Sequence, residues 1–89
     1  MHEQALMRDV IDRIVDLAER EGAIGVTRVS VRLGALSHFT SEHFREHYVD
    51  AARGTLAEGA IVEATLDEDI MASNAQGVFV ESIELEESA

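Results

Sequence analysis

Eighty-nine residues make one small domain, long enough to bury roughly 60–65% of the surface that its unfolded chain exposes. Seven arginines and no lysine face 18 acidic residues, for a net charge of −11, so a duplex backbone or an anionic membrane surface would be repelled and nucleic-acid binding is not expected. There is no cysteine, which excludes disulfides, thiolate catalysis and Cys-ligated zinc or iron–sulfur clusters and leaves His nitrogen, carboxylate oxygen and main-chain atoms as metal donors. The apolar runs are far short of the roughly 20 residues that cross a bilayer. Met1-His2-Glu3 also lacks the basic start and apolar block of a signal peptide, so a cytoplasmic location is expected. The acidity serves solubility first. A negative field also gathers divalent cations and suits a basic partner.

Residues 4–20 carry Leu6, Met7, Val10, Ile11, Ile14, Leu17 and Ala18 at helical spacing, with Arg8, Asp9, Asp12, Arg13, Asp16 and Glu19 opposite them, and Gly22 as a natural stop. Residues 26–33 switch to period two. Val29, Val31 and Leu33 alternate with Arg28, Ser30 and Arg32, which predicts a strand covered on one face and ended by Gly34. A second helix is predicted from about Ser41 to Arg53. Thr40 caps it, Phe39 and Phe44 sit at the two positions of a hydrophobic staple, and Phe44, Tyr48, Val49, Ala51 and Ala52 supply its buried side. Leu56 and Glu58-Gly59 lead to a strand at about 60–67. Residues 73–77, Ser-Asn-Ala-Gln-Gly, have turn chemistry. A last strand runs from Val78 to Glu86, with Phe79, Ile83 and Leu85 alternating against Glu84 and Glu86.

The expected fold is α+β in the order αβαββ, residues 1–89 forming a single domain with two helices packed on one face of a three-stranded mixed β-sheet. The strand–helix–strand unit favours a right-handed crossover, and the final two strands a hairpin. The second sheet face is left partly solvated, in keeping with Arg28, Arg32, Glu63, Glu81 and Glu84.

Four segments, in order and covering almost the whole chain, resemble the HypA/HybF family of hydrogenase and urease nickel-incorporation proteins. They are Met1-His2-Glu3 opening into an amphipathic helix, Val29 to Ser37 at the end of the first strand, Ala51 to Ala60 leaving the second helix, and Val80 to Glu86 in the last strand. The resemblance implies a nickel metallochaperone that delivers Ni(II) to [NiFe] hydrogenase, with the hydrogenase large subunit and a nickel-delivery GTPase as partners. Two features depart from the family pattern. The zinc ribbon built on paired Cys-x-x-Cys motifs has no counterpart, residues 67–77 simply bridging that gap, so no structural zinc is expected. Thr40 stands where some members place an Asp near the nickel, and His38 lies two residues away.

The resemblance places the metal at Met1, His2 and Glu3. A free α-amine, the next backbone nitrogen and the His2 imidazole can form fused chelate rings around one ion. Nitrogen donors suit Ni(II), and Glu3 adds an oxygen ligand or accepts a hydrogen bond from the imidazole. That chemistry requires nothing to precede Met1.

The remaining histidines form a second candidate. His43 and His47 are four apart on one helix face, and His38 precedes them. His43, Glu46 and His47 also fit the H-x-x-E-H pattern of some zinc peptidases. The pattern fixes only three positions, and a pair of solvated histidines on a polar helix face is the plainer reading. The acidic groups at 67–69 and 84–87 lack the spaced Asp/Asn-Gly loop that wraps calcium.

Two further functions compete with nickel carriage: an interaction module that holds a maturation partner without carrying metal, and a small zinc hydrolase. A homo-oligomer formed by exchange of a terminal helix or strand is compatible with so small a domain.

Overall fold

The computed structural model describes the backbone of residues 2–34, 39–67 and 77–87, with side chains described from residue 5 onward within those spans. Five elements follow in the expected order: α1 (His2–Arg20), β1 (Ala23–Leu33), α2 (Ser41–Ala52), β2 (Ile61–Leu66) and β3 (Val78–Glu87). Both helices lie over the three-stranded mixed sheet.

α1 buries Met7, Val10, Ile11, Ile14 and Ala18, a stripe at three- and four-residue spacing. Leu17 belongs to that stripe by sequence but flanks it, 44% exposed. In α2 the buried side is narrower than the sequence reading. Phe44, Tyr48 and Ala52 are buried, whereas Val49 and Ala51 are exposed. The 3.6-residue period explains this, since 44, 48 and 52 stack along one line while 49 and 51 fall about 100° to either side. The predicted cap and staple form as expected. The Thr40 hydroxyl accepts the His43 amide at 3.1 Å, and the Phe39 and Phe44 rings meet edge to face with centroids 5.6 Å apart.

β1 occupies the centre, in the order β2-β1-β3. It pairs parallel with β2 (Val29 opposite Val62) and antiparallel with β3 (Val29 opposite Ile83). The expected β2–β3 hairpin does not form. Both strands instead meet the end of β1, where the Asp67 amide donates to the Leu33 carbonyl and the Gly34 amide to the Gly77 carbonyl, each at 2.8 Å. Charge supplies a physical reason. β2 contributes Glu63 and β3 contributes Glu81 and Glu84, so direct pairing would set acid against acid, while a central β1 gives each acidic strand a cation. Arg28 forms ion pairs with Glu63 on one side and Glu84 on the other, and Arg32 reaches Glu81 at 2.9 Å. The hydrogen bond to Glu63, then its charge, raises the Arg28 pKa.

β1 also starts three residues earlier than predicted. Register shifts between Ala23 and Gly25 and between Val26 and Arg28 each place an extra residue in β1, so Ala23, Val26 and Val29 face the core at intervals of three before Val31 and Leu33 resume period two. A further shift opposite Ser30/Val31 places the extra residue, Glu81, in β3. It changes the phase of that strand, so the inward set is Val78, Val80, Ile83 and Leu85, and Phe79, expected inside, faces the open side across from Arg32.

Candidate metal centre

The direction of the chain decides which histidines can gather. Glu21 and Gly22 (φ 70) turn the chain tightly from α1 into β1. α2 then connects two parallel strands and must run back against them. The helices therefore run the same way, and both begin at the end of the sheet where β1 finishes. The backbone of His2, the first residue of α1, lies at that end together with the first turns of α2. Met1 and His38 lie outside the described residues, as do the side chains of His2 and Glu3.

Within the described residues the centre is His43 and His47. Helical spacing stacks the rings. Their Nε2 atoms are 2.9 Å apart and their centroids 4.5 Å, tilted 55°, so the rings converge on their nitrogen edges. A hydrogen bond between neutral imidazoles requires one Nε2–H donor and one Nε2 lone pair, which puts the acceptor ring's proton on Nδ1. The Phe39 ring stands edge-on to both, with centroids 6.1 Å from His43 and 6.3 Å from His47. Both histidines are half-buried.

His47 also opens onto a groove of about 420 Å³ between the helices, lined in part by Met7, Arg8 and Asp12 of α1 and Asp50 of α2. Asp50 is ion-paired with Arg53 at 3.3 Å. These two carboxylates were not singled out from the sequence. Asp50 is three residues beyond His47 and could have been found by helical spacing, whereas Asp12 comes from another helix and carries no local signal. No group of three or more His, Asp or Glu positioned as metal ligands occurs among the described residues. Glu46 is exposed beside His47 in a shallow groove with Val49 and Arg53. The third protein ligand that a zinc peptidase needs is therefore not found among the described residues.

Residues 1–85 match the family described as hydrogenase/urease nickel incorporation, metallochaperone, hypA. The chain belongs to the HypA family. The hydrogenase maturation factor HypA of Chlorobaculum tepidum is 38% identical over 60 residues, covering 67% of this chain and 53% of that protein. The maturation factor HypA of Archaeoglobus fulgidus is 34% identical over 67 residues, covering 75% and 61%. That of Methylocella silvestris is 37% identical over 71 residues, covering 80% and 59%. The chain thus spans little more than half the length of these HypA relatives.

The solution structure of the Ni metallochaperone HypA from Helicobacter pylori superposes with a TM-score of 0.78 over 97% of this chain and 98% of that one, at 15% identity, and establishes the shared fold. By its name, the HypA family is one of metallochaperones for hydrogenase and urease nickel incorporation. No helix among the described residues is long and apolar enough to cross a membrane.

Proposed function

We propose that this HypA-family chain carries Ni(II) as cargo in [NiFe] hydrogenase maturation, gripping it at Met1, His2 and Glu3 and passing it towards the hydrogenase large subunit with the help of the pathway's GTPase. The observation that carries the reading is the family match, which begins at residue 1 and so takes in the Met1-His2-Glu3 start. The parallel helices support it, because α1 begins at the end of the molecule where α2 also begins. An amine, a backbone nitrogen and an imidazole adjacent in sequence need no tertiary assembly to chelate, and an exposed ion held this way can leave quickly for a client. The net charge of −11 raises the local concentration of divalent cations around the molecule.

Calorimetric titration with Ni(II) tests the proposal on three proteins: the native start, His2→Ala, and a form extended by two residues before Met1. Native protein is expected to show a tight event that both variants lose. Equal binding by all three would exclude carriage at the terminus. Absence of binding by all three would favour the interaction-module reading.

A further inference from the structure

We propose that His43 and His47 form a two-nitrogen metal clip on α2, a donor set additional to Met1-His2-Glu3 and selective for divalent ions of the nickel and copper type that prefer donors at right angles. The inference goes beyond carriage at Met1-His2-Glu3 and stands whether or not that end binds metal.

Spacing is the first argument. Two imidazole nitrogens at about 2.0–2.1 Å from one ion lie about 2.9 Å apart when the angle at the metal is 90°, and about 3.4 Å apart at the tetrahedral angle. The observed Nε2–Nε2 separation is 2.9 Å. It is the ordinary length of the hydrogen bond between the rings, and it lies close to the spacing of adjacent positions on a square or octahedral ion, the geometries favoured by Ni(II) and Cu(II).

Preorganisation is the second. The helix that presents the pair is fixed immediately before it by the Thr40 cap and the Phe39–Phe44 staple, and anchored between the two histidines by buried Phe44 and beyond them by buried Tyr48. Phe39 backs both rings, forming an apolar wall that restricts their rotation. Little ordering is then left to occur on binding.

Charge is the third. Asp12 and Asp50 line the groove onto which His47 opens together with Arg8, and Asp50 is paired with Arg53, so the groove itself is nearly balanced and the net charge of −11 supplies the attraction for a cation.

Binding replaces the hydrogen bond between the two rings with two bonds to the ion. The Nε2–H···Nε2 hydrogen bond breaks, the donor ring moves its proton to Nδ1, and both Nε2 lone pairs bind the ion. Starting from two neutral rings the exchange releases no net proton, and no oxidant or reductant is required. With two donors supplied by the described residues, the other coordination positions remain for water or for a ligand on a second molecule. A clip so open suits an ion in transit.

The test uses the full chain with the two-residue N-terminal extension and His2→Ala together, so that a failure of the terminal site cannot be mistaken for a failure of the clip. Ni(II) is titrated while the imidazole resonances of His43 and His47 are followed by NMR, and Cu(II) is added to a parallel sample for electron paramagnetic resonance. The expected result is a change in both rings' resonances at one equivalent of Ni(II), paramagnetic broadening for a six-coordinate ion or shifted lines for a diamagnetic square one, and a Cu(II) spectrum with two equatorial imidazole nitrogens. His43→Gln and His47→Gln should each weaken Ni(II) binding by at least about tenfold, the scale on which even supporting residues move metal affinity. Their circular dichroism should match the parent, and Glu46→Gln should bind as the parent does. Rings undisturbed by either metal, or single Gln variants that bind like the parent, would overturn the clip. Tighter binding of Zn(II) than of Ni(II) would overturn its right-angle geometry.

Discussion

Tyr48 shows how much one side chain can contribute in so small a core. It is 1% exposed, and its hydroxyl donates to the Ala57 carbonyl at 2.9 Å. That bond ties the buried face of α2 to the turn after it, where Thr55 accepts the Ala57 amide at 3.1 Å and donates to the Ala52 carbonyl at 2.7 Å. Burial opposes ionisation and pushes the phenol up to about 12. Tyr48→Phe keeps the ring but leaves the Ala57 carbonyl without that donor, at an expected cost of about 1–3 kcal/mol in urea denaturation at pH 8. A raised native pKa means the folded state holds its proton longer than the unfolded state. The contribution is therefore complete below about pH 10 and is lost as pH rises towards 12, a decline of up to about 3 kcal/mol. Wild type and Tyr48→Phe should converge in stability over that window, and curves that stay parallel would show that another group governs the alkaline loss. Burial of Tyr48 was legible in the sequence as the residue four beyond Phe44. Its partner Ala57 was not, because a bond to a main-chain carbonyl nine residues away leaves no trace in residue type.

At the scale of elements, the two ends of α2 carry opposite kinds of signal. The start depends on the Thr40 side chain, whose oxygen accepts an amide that the helix itself cannot pair. Thr40→Ala should lower stability by about 1 kcal/mol, whereas Thr40→Asp retains an acceptor and should stay within a few tenths of wild type. The finish depends on Gly54 at φ 81, just after the Arg53 cap. A Cβ at Gly54 would meet nothing within 4 Å, so the expected loss of about 1–2 kcal/mol for Gly54→Ala comes from the left-handed backbone alone. Thermal melts of the three variants check both ends. If Gly54→Ala were neutral, the turn would have to have relaxed out of that conformation. Caps, staple and stop were readable because each is a local contact between residues a few positions apart. The bulges of β1 and β3 were not. Whether Ile24, Thr27 and Glu81 stand as extra residues depends on what lies opposite them, and alternation within one strand carries no information about its partner.

For the whole molecule, 18 acidic groups against seven cations make self-repulsion the dominant long-range term. The ion pairs of Arg13, Arg20, Arg28, Arg32 and Arg53 are all largely solvated, and such pairs contribute little individually. Salt screens both effects, but with the excess of acid the repulsion loses more. Stability should therefore rise as NaCl goes from about 10 mM to about 500 mM, over which the screening length falls from roughly 30 Å to a few ångströms. Arg28→Gln should be more salt-sensitive than wild type, since it removes the cation shared by Glu63 and Glu84. A fall in wild-type stability with salt would mean that the cross-strand pairs outweigh the net charge.

The sequence by itself determined the five elements, their order, the α+β class and the family, because hydrophobic period, caps and local motifs are written in neighbouring residues. It also singled out His43 and His47 through their four-residue spacing. Only the tertiary structure decided that β1 lies between β2 and β3, that Phe79 turns outward, that both helices begin at one end, and that the two imidazoles converge to 2.9 Å beside Phe39. Strand order and ring geometry arise from contacts between segments far apart in the chain, where the competition between like charges and the phase shift at a bulge are settled jointly by all the strands.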